Sequence, residues 1–145
     1  MRILVPTKPR VCSIARTLDI VGEKWSLLAI REVFQGVGHF NEIQANTGAP
    51  RDILTDRLRK LEEAGLHERV PYQERPVRYE YRLTGPGHDL FAVVTTLREW
   101  GDRNCEQPPP VTFTHKCGDV LESKLVCVHC GEAVTERNVR VVDAD

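Results

Sequence analysis

The spacing of apolar positions predicts a helix-turn-helix in the middle of the chain. Leu54, Leu58 and Leu61 recur every three or four residues, which places them on one face of a helix beginning at Pro50. A shorter apolar-spaced segment beginning near His39 precedes it, and the two are joined by a turn that contains glycine. Two helices joined in this way are typical of a helix-turn-helix.

Two strand-like runs follow the second helix. Residues 66–70 and 78–83 read as strands, with Tyr79, Tyr81 and Leu83 alternating in the second run. The polar segment 71–77 between them has a proline close to each end. A helix-turn-helix followed directly by a β-hairpin predicts a winged helix.

Further helices are predicted on both sides of this motif. Residues 12–34 read as two helices separated by Gly22, with Ser13 as the cap of the first, and residues 87–100 read as another. Together they carry more apolar surface than one winged helix needs to cover. We therefore expect these outer helices to form a twofold dimer interface, although the helix 87–100 would alternatively pack only on its own subunit.

The composition of the chain divides it into four parts. We expect an N-terminal arm over residues 1–10, the winged helix-turn-helix domain over 11–104, a stiff Pro-rich linker over 105–110 and a small tail over 111–145. Short strands are predicted in the tail at Val111, Phe113, Leu125, Val126 and residues 139–142. The predicted fold class is α+β, a winged helix-turn-helix with extra dimerisation helices and a small Cys-rich β tail.

Net charge and hydropathy restrict the classes of protein to which this chain can belong. The net charge is −1, but residues 1–101 carry 15 Lys and Arg against 13 Asp and Glu, so the small basic excess lies in the winged-helix part. The longest apolar run is far too short for a membrane span, and the N-terminus lacks the apolar core of a signal peptide. We expect a cytoplasmic protein with no membrane partner.

A winged helix presents the start of its second helix to base edges in the major groove of double-stranded DNA. On this sequence the candidate DNA-binding residues of that helix are Arg51, Asp52, Thr55, Asp56 and Arg59, and those of the wing are Arg75 and Arg78. The alternative for each of these residues is a solvated surface side chain that does not contact DNA. Arg57 lies nearer the apolar face, where a structural salt bridge is expected.

The tail contains a second candidate site. His115 and Cys117 are followed, after nine residues, by Cys127 and Cys130. Three thiolates and one imidazole form the closed tetrahedral set of structural Zn²⁺, and a segment this short cannot bury enough core to fold alone. The alternatives are a metal-free hairpin, a redox pair between Cys127 and either Cys117 or Cys130, or His129 as a ligand.

Several motifs resemble those of the HxlR-type winged-helix transcriptional regulators. The resemblance is carried in order by CSIARTLDIVGEKWSLLAIREV, HFNEIQ, ILTDRLRKLEEAGL, YEYRLTGPG and LREW, over roughly residues 12–101. It implies a dimeric winged helix that binds promoter DNA. One position departs from the family pattern: Ala49 stands before Pro50, where the family usually has a serine able to cap the helix. Thr47 is expected to compensate.

The resemblance also gives Cys12 a candidate role. In some regulators of this family the cysteine at this place is redox-active or reacts with electrophiles, which requires a thiolate favoured by a helix N-terminus or a nearby cation. Cys12 is therefore a candidate redox sensor, and its alternative role is that of a small hydrophobic residue at the dimer interface.

The leading hypothesis is a sequence-specific DNA-binding transcriptional regulator that acts as a dimer and responds to redox change or to a ligand. The alternative is a winged-helix protein–protein adaptor that does not bind DNA, which the near-neutral charge and the two acids on the recognition face favour. An enzyme or electron carrier is not expected, because no nucleophile–base pair or cofactor loop accompanies the cysteines.

Overall fold

The computed structural model describes residues 9–142, so residues 1–8 of the predicted arm and residues 143–145 of the tail lie outside the described part. The elements along the chain are α1 Ser13–Val21, α2 Lys24–Phe34, α3 Phe40–Thr47, α4 Arg51–Glu63, β1 His67–Glu74, β2 Val77–Leu83, α5 Gly85–Asp89 and α6 Phe91–Asn104. Within the described range, no helix is long and apolar enough to cross a membrane.

The chain divides into two compact units, Met1–Val94 and Thr95–Asp145. The division therefore lies within α6, and not at the Pro-rich segment 105–110 where the composition changes. The reason is that α6 residues beyond Val94 contact the tail. The Arg98 guanidinium carbon lies 4.3 Å from the centroid of the Phe113 ring, and the buried Glu99 carboxylate accepts from Ser123 Oγ at 2.6 Å.

The predicted apolar stripe of α4 is the centre of the first unit. Leu54, Leu58 and Leu61 are all buried. Leu54 and Leu58 pack with Ile43 of α3, whereas Leu61 packs in a second cluster with residues of α1 and α2. The spacing of these leucines thus places α4 between the other helices, with its opposite face exposed.

Polar contacts fix the helix-turn-helix in place. Buried Glu32 of α2 accepts hydrogen bonds from Arg31 Nε and from Asn46 Nδ2 of α3, both at 2.9 Å. Such pairing is needed because an unpaired buried carboxylate is strongly unfavourable. The carbonyl of Gly38, just before α3, accepts from the Tyr81 backbone N–H of β2 at 2.8 Å. This bond joins the start of the helix-turn-helix to the second strand of the hairpin.

The hairpin is longer than the sequence predicts. Residues 71–74 of the predicted connection belong to β1, which pairs with β2 in antiparallel register from His67 opposite Leu83 to Glu74 opposite Val77. The predicted end of the first strand at Val70 is wrong, because Pro71 pairs with Tyr79 within the hairpin. A two-stranded sheet has only edge strands, which tolerate proline, and the register shifts just after Pro71.

Some predicted helix boundaries also need correction. Pro50 is the N-cap of α4 and not its first residue. Cys12, and not Ser13, caps α1, since its sulfur accepts from the Ala15 N–H at 3.3 Å. The predicted helix 87–100 is two helices, α5 and α6, separated at Leu90.

The expected compensation for Ala49 does not occur. The Thr47 hydroxyl accepts from the Ala49 backbone N–H at 3.3 Å and leaves the first turn of α4 without a side-chain cap. Ala49 itself is buried against Leu54 and Leu58, where a hydroxyl would need a partner.

The tail forms two short hairpin turns instead of the predicted strands. Its ladder contacts are the isolated bridges Thr114 to Val120 and Val126 to Ala133. Residues 139–142 form no strand. Of residues 105–142, only Phe113, Leu121 and Cys127 are even half-buried. With so little apolar burial, hydrogen bonds at the turns are the main contacts within this segment.

Candidate functional site

Arg51 stands at the start of the exposed face of α4. Its guanidinium carbon lies 4.8 Å from the centroid of the Phe40 ring, and Nη1 donates to Asn41 Oδ1 at 3.4 Å. A cation over an aromatic face loses conformational freedom before any ligand binds. These contacts hold the Arg51 side chain at the N-terminus of α4, on the face that is directed away from the core.

One turn further along α4, Asp56 forms ion pairs with three neighbouring cations. Its carboxylate lies 2.5 Å from Arg59 Nη2, 3.4 Å from Lys60 Nζ and 3.3 Å from Arg57 Nη1. The hydrogen bond from Arg59, followed by Lys60, lowers the pKa of Asp56, and the same bond raises the pKa of Arg59. Arg59 is therefore less available to a ligand than Arg51.

Arg57 forms the structural salt bridge that its position predicts. The half-buried guanidinium pairs with Glu23 just before α2 and with Asp56. Asp52 and Thr55 are exposed on the outer face of α4, and the Thr55 hydroxyl donates to the Arg51 carbonyl at 2.8 Å.

A groove of about 540 Å³ runs between the helix-turn-helix and the wing. It brings together two predicted DNA-binding residues from different elements, Arg51 of α4 and Arg78 of β2. The spacing of residues along the chain does not indicate the other side chains that line it, which are His39, Phe40, Asn41, Glu42, Arg69, Tyr72, Val77, Tyr79 and Tyr81. The groove combines three guanidinium groups with aromatic rings, a lining suited to phosphate and to flat polar ligands.

Two of the rings that line this groove are stacked on each other. The His39 imidazole at the N-cap of α3 lies 4.4 Å from the Tyr72 ring of β1, with 15° between the planes. Arg69 is held by Glu62 at 3.1 Å and lies 5.1 Å from the Tyr79 ring centroid. The aromatic residues of the hairpin were visible in the sequence, but their pairing with α3 depends on the longer β1.

Arg75 and Arg78 are exposed, and neither forms an ion pair within the described residues. Arg75 lies in the two-residue turn between β1 and β2, next to a cis peptide bond to Pro76. These are the positive charges of the wing that remain available to an external partner.

A buried histidine lies at the base of the wing. His67, the first residue of β1, is almost fully buried, with its ring edge-on to Tyr81 at 4.9 Å. Burial lowers the pKa of His67, so the neutral imidazole is the favoured form. Since it faces the core, His67 has a packing role and is not part of the groove.

The candidate sensor and metal-binding residues are not among the residues that line this groove. Cys12 is exposed at the N-cap of α1, and its role as a redox sensor stays a prediction. In the tail, the backbone N–H groups of Cys130 and His129, followed by the Cys130 side chain, lower the pKa of Cys127. Across residues 9–142, no three His, Cys, Asp or Glu side chains are grouped closely enough to hold a metal ion.

Comparison with known proteins gives the same family that the motifs suggest. Residues 20–109 match the model of the HxlR-like helix-turn-helix family. An uncharacterized HTH-type transcriptional regulator of Mycobacterium tuberculosis is 48% identical over 130 residues, which cover 88% of this chain and 82% of the relative.

Solved structures agree with this assignment. PA1607, a proposed transcription factor, superposes with a TM-score of 0.82 at 32% identity, covering 94% of this chain and 98% of its own. The redox regulator HypR in its reduced form gives a TM-score of 0.61 at 32% identity, covering 66% of this chain and 95% of its own. These relatives support a regulator and not the adaptor alternative. The chain therefore belongs to the HxlR-like helix-turn-helix family of transcriptional regulators.

Proposed function

We propose that this protein regulates transcription by binding double-stranded promoter DNA as a homodimer, with α4 in the major groove and the wing on the backbone. The observation that carries this proposal is the groove in which Arg51 of α4 and Arg78 of the wing face one space. Arg51 stands where a recognition helix contacts base edges, and arginine is the usual bidentate partner of guanine. Arg75 and Arg78 would contact phosphates.

Replacing Arg51 by alanine should weaken binding to the promoter DNA upstream of its own gene by roughly tenfold to a hundredfold, because one good bidentate base contact contributes about 1–3 kcal/mol. Removing Arg78 should weaken binding to specific and random DNA alike, since phosphate contacts carry no sequence information. Fluorescence anisotropy titrations with both DNAs over a series of salt concentrations measure these effects.

Arg137→Ala is the matched control, because it removes the same charge from an exposed position in the tail. Binding of the unaltered protein should weaken steeply with salt, as release of counterions from phosphate requires. The proposal fails if binding is insensitive to salt, or if Arg51→Ala and Arg137→Ala bind equally well.

The exposed apolar faces of two helices support the dimer. On α1, Ile14 and Leu18 are 73% and 56% exposed. On α6, Val93, Leu97 and Trp100 recur at helical spacing and are also exposed, with Trp100 at 58%. Apolar side chains spaced to form a helix face are seldom left in water, and we propose that a second copy of the chain covers each of these faces.

An Ile14→Asp variant should shift the protein from dimer to monomer, because a charge would have to be buried at the interface. Its DNA affinity should then fall by about a hundredfold, since the two recognition helices no longer bind as one unit. Analytical ultracentrifugation and anisotropy measure the two effects.

Val141→Asp makes a comparable change at a tail position that is 93% exposed, and it should leave both the oligomeric state and the DNA affinity unchanged. A wild-type protein that sediments as a monomer at concentrations where it binds DNA would exclude the dimer.

A further inference from the structure

The two hairpins of the tail share one pattern of backbone hydrogen bonds. In the first hairpin, the His115 N–H donates to the Asp119 carbonyl and the Gly118 N–H donates to the His115 carbonyl, both at 2.9 Å. The outer pair is closed by the Leu121 N–H and the Phe113 carbonyl at 2.7 Å. The backbone of His115 therefore supplies both a donor and an acceptor to the hydrogen bonds of this turn.

The second hairpin repeats each of these bonds around Cys127. The Cys127 N–H donates to the Glu132 carbonyl at 2.8 Å, and the Gly131 N–H donates to the Cys127 carbonyl at 2.7 Å. The outer pair here is the Val134 N–H and the Leu125 carbonyl at 2.9 Å. The second turn is one residue longer than the first.

This correspondence pairs the donor residues of the two turns. His115 occupies the place of Cys127, and Cys117 occupies the place of Cys130. The residue after Cys117 and the residue after Cys130 are both glycines with positive φ, 97° and 75°. Only glycine adopts this conformation without strain. Each turn thus places its two candidate ligands at equivalent positions around a tight bend.

A side-chain contact in the first turn agrees with that role. The Cys117 N–H lies 3.4 Å from His115 Nδ1, so the lone pair of this nitrogen faces into the turn. At 3.4 Å the bond to Nδ1 is long for a hydrogen bond, and a metal ion would replace it at little cost.

The burial of the tail gives an independent reason for a bound ion. None of residues 105–142 is fully buried, and Val111, Val120, Leu125 and Val126 are all exposed. A segment without an apolar core needs another source of folding free energy, and structural zinc supplies it in small domains.

We infer that the tail is a structural zinc site in which His115 and Cys117 of one hairpin and Cys127 and Cys130 of the other complete a tetrahedral set. Three thiolates and one imidazole leave no open position for substrate. His129 is not among the ligands, because the residue that corresponds to it in the first turn is Lys116, which is not a zinc ligand. Since no three such donors are grouped within the described residues, zinc binding has to draw the two turns together.

The inference is tested on the full chain purified under reducing conditions. Elemental mass spectrometry should find one zinc ion per chain in the wild type and in Cys105→Ser, whose exposed cysteine lies outside both turns. Cys127→Ser and His115→Ala should each lose most of the metal. A wild type without zinc, or one that holds iron instead, would overturn the inference, and so would a His115→Ala variant that keeps its zinc with undiminished affinity.

A second measurement guards against variants that simply fail to fold. Cobalt added to the metal-free wild type should produce the intense visible absorption of tetrahedral thiolate coordination, and one equivalent of zinc should remove it. A chelator should also make the tail sensitive to protease while DNA binding by the first unit persists. If the chelator leaves the digestion pattern unchanged, zinc does not hold this segment together.

Discussion

Leu58→Ala should lower the free energy of unfolding by about 2–5 kcal/mol, the usual cost of removing a buried leucine side chain and leaving a cavity. Leu58 is 1% exposed and packs with Ile43, Ala49 and Leu54. It lies on the same helix as Arg51, so movement of α4 into the cavity would also displace the candidate base-contacting residue. Chemical denaturation followed by circular dichroism measures the stability change.

The matched control is Leu125→Ala, the same chemical change at a position that is 64% exposed. It should alter the free energy of unfolding by less than about 0.5 kcal/mol, as surface substitutions usually do. Equal losses at the two positions would mean that the packing around α4 is not what holds the first unit together.

Gly87→Ala should lower the free energy of unfolding by about 1–3 kcal/mol through overpacking. A Cβ atom at this buried position would lie only 1.9 Å from the Leu66 carbonyl oxygen and 3.1 Å from Leu83 Cδ2. Leu66, which connects α4 to the wing, would have to move away from the start of α5. A lower thermal midpoint in calorimetry is the expected observation.

Gly85→Ala provides the comparison within the same short helix, because a Cβ there meets no atom within 4 Å. That variant should be neutral or slightly stabilising, since alanine favours helix more than glycine does. If both glycines tolerate alanine equally, the close approach between α5 and Leu66 is absent in solution.

Periodicity along the chain predicted the first unit well. A helix buried on one side repeats its apolar residues every 3.6 positions, and the three leucines of α4 do so and are all buried. The same rule gave α1, α2 and α3. The winged helix-turn-helix and its family therefore followed from local pattern and motif order, and the comparisons confirm both.

The groove could not be predicted in the same way. The stack of His39 on Tyr72 joins residues far apart in sequence and depends on β1 continuing past Pro71. Likewise, only the fold shows that Asp56 holds Arg59 and Lys60, which leaves Arg51 as the more available cation of α4. Such pairings depend on rotamers and registers that a pattern of residue types does not specify.

The tail was the least predictable segment. Its valines predicted strands, but the described residues of the tail contain only isolated bridges. The reason is that a short strand without a neighbouring sheet or helix has no surface against which to bury its apolar side chains. The cysteine spacing was informative about candidate ligands, whereas the equivalence of the two turns appeared only in their hydrogen bonds.

The division of α4 into a buried and an exposed face has an evolutionary consequence. Changes at Leu54, Leu58 or Leu61 put the fold at risk, whereas changes at Arg51 or Thr55 would cost little stability, within about 0.5 kcal/mol for exposed positions. Under the proposed mode of DNA binding, a copy of this regulator could therefore acquire a new operator after gene duplication through a few substitutions on one side of a single helix.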